Sequence, residues 1–313
     1  MHLLHYMAAA AAALFLAATS CRKSAVYDHS DLDHEALINE IDSLLAGVPA
    51  QIGVAVILDG TDTVTVNNSA DYPMMSMFKL QEAIAVCRTL GEQGQSIDTV
   101  FNIPRSEFHT DTWSPMLKDY TDDTVHISAR GLMDYLLVHS DNNASNLLFS
   151  LVATAPQTDS IIRSITSDES FNISYTEAQM QREHELAYAN RTSPLAYAVL
   201  VNRLFTDSLA PTPMQDFIKD AMSRCNTGTA RIQAGLPDKE GVKFAHRTGS
   251  GYVNERGEVV AVNDGGRVSL PDGRSYSVAV FVKDYAGPQE DAEKVIARIS
   301  EAIYRHIYRH ITE

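Results

Sequence analysis

QIGVAVILDGTDTVTVNN, residues 51–68, holds two runs rich in β-branched residues separated by Asp59-Gly60. Asp-Gly suits the left-handed backbone of a tight reversal, so the stretch predicts a β-hairpin. Working outward, a short amphipathic helix over 35–45 precedes it. From Met77 the apolar spacing changes to a helical period, with segments at 83–89, 129–139, 143–152, 159–165, 194–205 and 214–222. Strand patterns return in VKFAHRTGSG (242–251), EVVAVNDGGRV (258–268) and SYSVAVFVKDY (275–285), and a last helix follows in EDAEKVIARISEAIYRHIYRHI (290–311). This order predicts an α+β fold. An antiparallel β-sheet built from both chain ends is flanked by N- and C-terminal helices, and an all-helical lobe is inserted between its halves. The expected boundaries are 34–72 and 218–313 for the sheet lobe and 73–217 for the helical lobe. Ligand clefts form where such lobes meet.

The chain has 313 residues, 45% of them hydrophobic, which is ample for a large core. Its net charge of -15 argues against a nucleic-acid partner, since no basic patch stands out to offset the repulsion of a phosphate backbone. The 11 histidines are scattered without ligand spacing, so neither a metal nor another cofactor is expected. The start, MHLLHYMAAAAAALFLAATSC, has an apolar stretch too short to span a bilayer comfortably and reads as an export signal over 1–20. AATSC has the form of a lipoprotein signal in which Cys21 is lipidated, followed by a polar tether over 21–33; a plain signal peptide is the alternative. The expected location is therefore exported and periplasmic, with membrane contact only through that anchor, and the protein is expected to be a monomer. Cys87 and Cys225 fall in helical patterns and read as buried free thiols rather than a disulfide.

In DYPMMSMFKLQEAIAV, residues 71–86, Ser76 precedes Lys79 by three positions, so both project from one helix face. Serine is a nucleophile and lysine can accept or organise its proton. The spacing alone is weak, because Ser20 and Lys23 repeat it without meaning. Two further strings give it weight: Ser140-Asp141-Asn142 in HSDNNASN, and Arg247-Thr248-Gly249 in HRTGSG. Taken singly, the first could be a helix cap and the second a strand ending in a glycine bulge. In this order and spacing they match the S-x-x-K, S-D-N and K-T-G set of serine β-lactamases and penicillin-binding proteins.

From about residue 35 to its end, the chain resembles the class A serine β-lactamases. The resemblance implies hydrolysis of the β-lactam amide of penicillins and cephalosporins through an acyl-enzyme. Ser76 would be the nucleophile, and Lys79 would relay protons. Ser140 would protonate the departing ring nitrogen, and the backbone amides of Ser76 and Ser250 would form the oxyanion hole. A loop glutamate would activate the deacylating water; Glu169, Glu177, Glu183 and Glu185 compete for that role. Counting back from NRTSP (190–194) by the family's spacing lands on Glu177, with Glu183 of EHEL as the fallback, and YTEAQM (175–180) looks like the loop of extended-spectrum cephalosporinases. Arg247, Thr248, Gly249 and Ser250 would meet the substrate carboxylate, with Arg231 of NTGTARIQAGLP supporting that pocket. Asn142 would bind the substrate's acylamide, and Trp113 of TWSPM would stand as an aromatic gate, its alternative being core packing.

Departures from the family pattern also carry expectations. Arg247 stands where lysine is usual, keeping the charge in a bulkier planar group. Gln181 stands where an asparagine usually helps hold the water, so its longer amide must fold back or let the water shift. Tyr175 and Asn190 replace the ion pair at the loop neck, which predicts a loop held by neutral hydrogen bonds, with Asn146 also serving it. The competing functions are a penicillin-binding D,D-peptidase and a catalytically idle surface lipoprotein of the same fold.

Overall fold

Pairing of β1 (Gln51–Leu58) with β2 (Asp62–Val66) and with β9 (Ser275–Tyr285) brings the two ends of the chain together in one antiparallel sheet. The computed structural model describes residues 32–166 and 170–308. The expected signal 1–20, Cys21, most of the tether, Glu169 and the last five positions lie outside the described residues. Along the chain, α1 (His34–Leu45) and the β1–β2 hairpin precede β3 (Tyr72–Pro73), α2 (Lys79–Glu92), β4 (Val100–Pro104), α3 (Met116–Asp119) and β5 (Thr124–Ser128). Helices α4 (Ala129–Val138), α5 (Asn142–Leu151), α6 (Ala155–Thr166) and α7 (Glu177–Arg182) lead to β6 (Arg191–Thr192), α8 (Pro194–Thr206) and α9 (Thr212–Ser223). Then β7 (Lys243–Ser250), β8 (Val259–Ser269), β9 and α10 (Gln289–Ile307) complete it. The sheet order is β2-β1-β9-β8-β7.

The hairpin reversal uses left-handed backbone at both Asp59 (φ 47°) and Gly60 (φ 83°). Side chains of a strand alternate between sheet faces, and here both faces are covered, so β1 is buried from Ile52 to Leu58. Ile52, Val54 and Val56 pack with Leu37 and Ile41 of α1 and Ile296, Ile299 and Ile303 of α10. Ala55 and Ile57, with Ala279 and Phe281 of β9, pack against Tyr197 and Leu200 of α8 and join the large core of the helical region. The apolar stripe of α10 ends between acidic Glu290 and Asp291 and basic Arg305 and His306, the charge order that a helix dipole favours.

The region read as helical also carries two short ribbons, β4–β5 and β3–β6. Strand β4 buries only Ile103, and β5 only Val125 and Ile127, so each is too short and too wet to give a period-two signal. Helix α2 is longer than the 83–89 segment expected, because its first turn is formed by polar Lys79, Gln81 and Glu82, all of them buried. No helix among the described residues is long and apolar enough to cross a membrane.

Candidate active site

Ser76 sits in a 3-10 turn, Met75–Phe78, that runs directly into α2 and Lys79. The turn is entered through Met75 in left-handed backbone (φ 47°), and Ser140, between α4 and α5, is left-handed too (φ 60°). Non-glycine residues in that region cost roughly 1–3 kcal/mol and persist where surrounding contacts over-determine them. At Ser140 those contacts are visible. Asp141 caps α5 through Ala144 N–H (3.0 Å) and accepts from Ser114 Oγ (2.8 Å) and Met116 N–H (2.8 Å). This fastens the Trp113 segment to the turn, and Asn142 N–H donates to Trp113 O (3.0 Å).

Lys79 is fully buried and its ammonium is the hub. Nζ donates to Ser76 Oγ (3.0 Å), Ser140 O (2.9 Å), Ser140 Oγ (3.4 Å) and Asn142 Oδ1 (2.6 Å), and pairs with Glu177 Oε1 (2.9 Å). Ser76 Oγ donates to the same Glu177 oxygen at 3.2 Å. Burial pulls the Lys79 pKa down, the Glu177 charge opposes this, and the Arg247 charge adds to the lowering.

Glu177 opens α7, behind a Thr176–Gln179 capping box. Its loop is closed by Asn190, whose Oδ1 accepts from Ser174 N–H (2.9 Å) and Tyr175 N–H (3.0 Å) and whose Nδ2 donates to Tyr175 O (2.8 Å). Asn146 Oδ1 accepts from Ala178 N–H (3.0 Å). The Tyr175–Asn190 contact is thus neutral, as expected, while the Asp159–Arg163 ion pair holds Ile173 N–H and Phe171 O just before it. Glu183 caps the following turn and does not line the cleft, and neither does Glu185.

The cleft holds about 430 Å³ and is lined by Ser76, Trp113, Ser140, Asn142, Glu177, Gln181, Thr248 and Ser250, among others. Trp113 is 63% exposed at its rim, its indole N–H donating to His139 O (2.9 Å), so core packing is excluded. Asn142 faces the cleft while its Nδ2 is bound to Thr112 Oγ1 (2.8 Å). Gln181 folds back, Nε2 donating to Asp111 O (3.3 Å).

Two residues expected to meet the ligand, Arg247 and Gly249, lie beneath the cleft surface, and Arg231 supports the pocket from below. Arg247 is wholly buried and does not line the cleft. Its Nε donates to Ser76 O (3.3 Å) and its Nη1 to Leu137 O (3.2 Å), because the guanidinium turns inward under the Ser76 turn. Arg231 is buried too, paired with Glu293 (3.1 Å) and donating to Ser250 Oγ (2.5 Å), so it acts through Ser250. Gly249 lies under the surface. A Cβ there would come within 2.4 Å of Met74 O, so the missing side chain is what lets β7 close on the Ser76 turn.

Several lining residues were not anticipated. Thr227 reaches Thr248 Oγ1 at 2.5 Å, and Tyr252 OH donates to His184 O (2.6 Å) while stacking on the His184 ring, closing one end. Tyr252 directly follows HRTGSG and Thr227 lies within NTGTAR, so proximity to motifs was the available signal. Buried Glu82, one turn beyond Lys79, was also passed over; its Oε2 accepts from Ser145 Oγ (2.7 Å). Among the described residues no group of His, Cys, Asp and Glu is arranged to hold a metal ion.

A nucleophilic hydroxyl flanked by a lysine and a carboxylate, in a cleft with hydroxyl donors on the facing strand, can form and then hydrolyse an ester. A family model described as Beta-lactamase enzyme family matches residues 36–307. The chain is 48% identical over 268 residues to a β-lactamase of Phocaeicola vulgatus, covering 86% of this chain and 84% of that one. The crystal structure of TLA-3 extended-spectrum β-lactamase superposes with a TM-score of 0.84 at 29% identity, over 88% of this chain and 100% of that one. A class A β-lactamase structure from Bacteroides cellulosilyticus DSM 14838 gives 0.83 at 29% identity, over 88% and 98%.

Proposed function

The chain belongs to the β-lactamase enzyme family, as a class A enzyme that hydrolyses β-lactam amides, and from that premise we propose that Ser76 is its nucleophile and Glu177 its deacylating base. The observation that carries this reading is the single oxygen, Glu177 Oε1, lying 3.2 Å from Ser76 Oγ and 2.9 Å from Lys79 Nζ. Ser76 Oγ attacks the ring carbonyl, and its proton has two exits within reach, Glu177 and Lys79. Backbone N–H groups of Ser76 and Ser250 hold the oxyanion. As the C–N bond breaks, Ser140 Oγ gives its proton to the ring nitrogen and is recharged from Lys79, 3.4 Å away. Water activated by Glu177 then hydrolyses the ester and returns the proton to Ser76.

The substrate carboxylate is met by Thr248 and Ser250, with Arg231 fixing the Ser250 hydroxyl. Arg247 adds positive potential from beneath the turn without touching the ligand. Asn142 binds the substrate amide, and exposed Trp113 packs over the ligand from the rim. We assign a preference for cephalosporins, supported by the YTEAQM loop and by the likeness to an enzyme described as extended-spectrum. Residues 1–21 support export to the periplasm and a lipid anchor on Cys21. Turnover of a chromogenic cephalosporin by purified protein tests the activity. Many product molecules per chain are expected, whereas one equivalent followed by arrest would indicate the trapped acyl-enzyme of a D,D-peptidase.

A further inference from the structure

Behind the β-lactam cleft, and sharing no lining residue with it, lies a second cavity of about 460 Å³. Cys225 and His246 line it, together with Phe244, Gln233 and Lys239. Cys225 follows the end of α9, and His246 stands on β7 immediately before Arg247. His246 Nδ1 is 2.8 Å from Asp264 Oδ1, on the neighbouring strand β8, and its ring lines the same cavity as the Cys225 thiol. Arg247 Nη1 points at Cys225 Sγ from 3.7 Å, while Arg247 Nη2 has no partner among the described residues. All three partners are buried, with His246 2% exposed and Asp264 and Arg247 not exposed at all.

We propose that Cys225 is a modification site: its sulfur, set against His246, Asp264 and Arg247 at the wall of this second cavity, exchanges with small disulfides, and the mixed disulfide slows β-lactam hydrolysis. The cluster has the groups that a reactive sulfur needs, an imidazole oriented by a carboxylate and a nearby fixed cation. Burial pushes the thiol upward, but His246 and the Arg247 charge bring it down to about 6. Cys87 provides the contrast: buried against Met133, with no polar cluster, it is pushed up to about 12 by burial.

In the exchange, the Cys225 thiolate attacks one sulfur of the small disulfide. A new S–S bond forms at Cys225 as the reagent's own S–S bond breaks, and the electron pair leaves on the departing thiolate, which takes a proton from water. Cys225 is oxidised and the disulfide reduced, and added thiol reverses the step. Two contacts carry the adduct's effect to the cleft. Thr227 Oγ1 lies 3.3 Å from Cys225 Sγ and 2.5 Å from Thr248 Oγ1. Arg247, beside the sulfur, holds Ser76 O at 3.3 Å. A group bonded to Sγ displaces one or both.

The test treats the folded full chain with 5,5′-dithiobis(2-nitrobenzoate). In a Cys21→Ser background one fast equivalent of thionitrobenzoate is expected, located at Cys225 by peptide mass, lost when Cys225→Ser is added and kept when Cys87→Ser is added. Hydrolysis of a chromogenic cephalosporin should fall at least tenfold in step and return with dithiothreitol, whereas Cys225→Ser, whatever its own rate, should not respond to the reagent. His246→Asn, checked as folded by circular dichroism, should slow the release at least tenfold. Reaction of Cys225 no faster than that of Cys87, or an adduct at Cys225 that leaves hydrolysis unchanged, overturns the proposal. Release and peptide mass do not depend on what the chain hydrolyses, so failure here is distinct from failure of the β-lactamase mechanism.

Discussion

Glu82 stands one turn beyond Lys79 on α2, fully buried, with Oε1 unpartnered among the described residues. Burial raises its pKa well above 4.5, against the opposing hydrogen bond from Ser145. A raised carboxyl pKa means that the folded chain holds a proton that the unfolded chain releases above about pH 4.5, so stability falls as pH rises from there until the folded group itself ionises. Glu82→Gln removes that penalty. Thermal unfolding should show the variant's Tm advantage widening by roughly 2–4 °C per pH unit above pH 5, and a gap independent of pH would contradict a protonated Glu82. At this scale the Ser76–Lys79 relation was legible in the sequence, since a three-residue spacing fixes both side chains on one face. The inward turn of Arg247 was not. It depends on Leu137 O and Ser76 O, acceptors from distant segments, and a long side chain on a strand can bend either way.

The loop bearing Glu177 behaves as an element held at its neck. Asn190 makes three hydrogen bonds there with no exposure to water. Asn190→Ala leaves two N–H groups and a carbonyl without partners, which should cost about 1–3 kcal/mol in urea unfolding. Because Glu177 rides on that loop, deacylation should slow more than acylation, read by burst-phase kinetics as a larger burst relative to the steady rate; equal loss in both phases would detach the neck from Glu177. The neutral contact at the neck was legible from Tyr175 and Asn190, and the T-x-x-Q spacing of Thr176 and Gln179 carries the capping box that opens α7. The β4–β5 ribbon was not legible, because it is stabilised by pairing between strands about twenty residues apart, and its own burial is too slight to pattern the sequence.

For the whole molecule, the return of strand patterns after a long helical stretch was enough to expect a sheet closed from both ends. The reason is physical: β1 and β9 are covered on both faces, so their apolar runs are long and hard to misread. The second cavity escaped notice because Cys225, His246 and Asp264 come from three separate elements that only the folded sheet assembles. The proposed lipid anchor is tested on the whole chain: Cys21→Ser should move the protein from the membrane to the soluble fraction in cell fractionation, and unchanged membrane association would contradict the proposal. The central claim is that one carboxylate serves both Ser76 and its water. Mass spectrometry of Glu177→Ala mixed with a cephalosporin tests it most directly. A long-lived adduct on Ser76 is expected, with normal turnover in Glu183→Ala; an adduct that clears as fast as in the parent, or that persists in Glu183→Ala instead, would contradict the account.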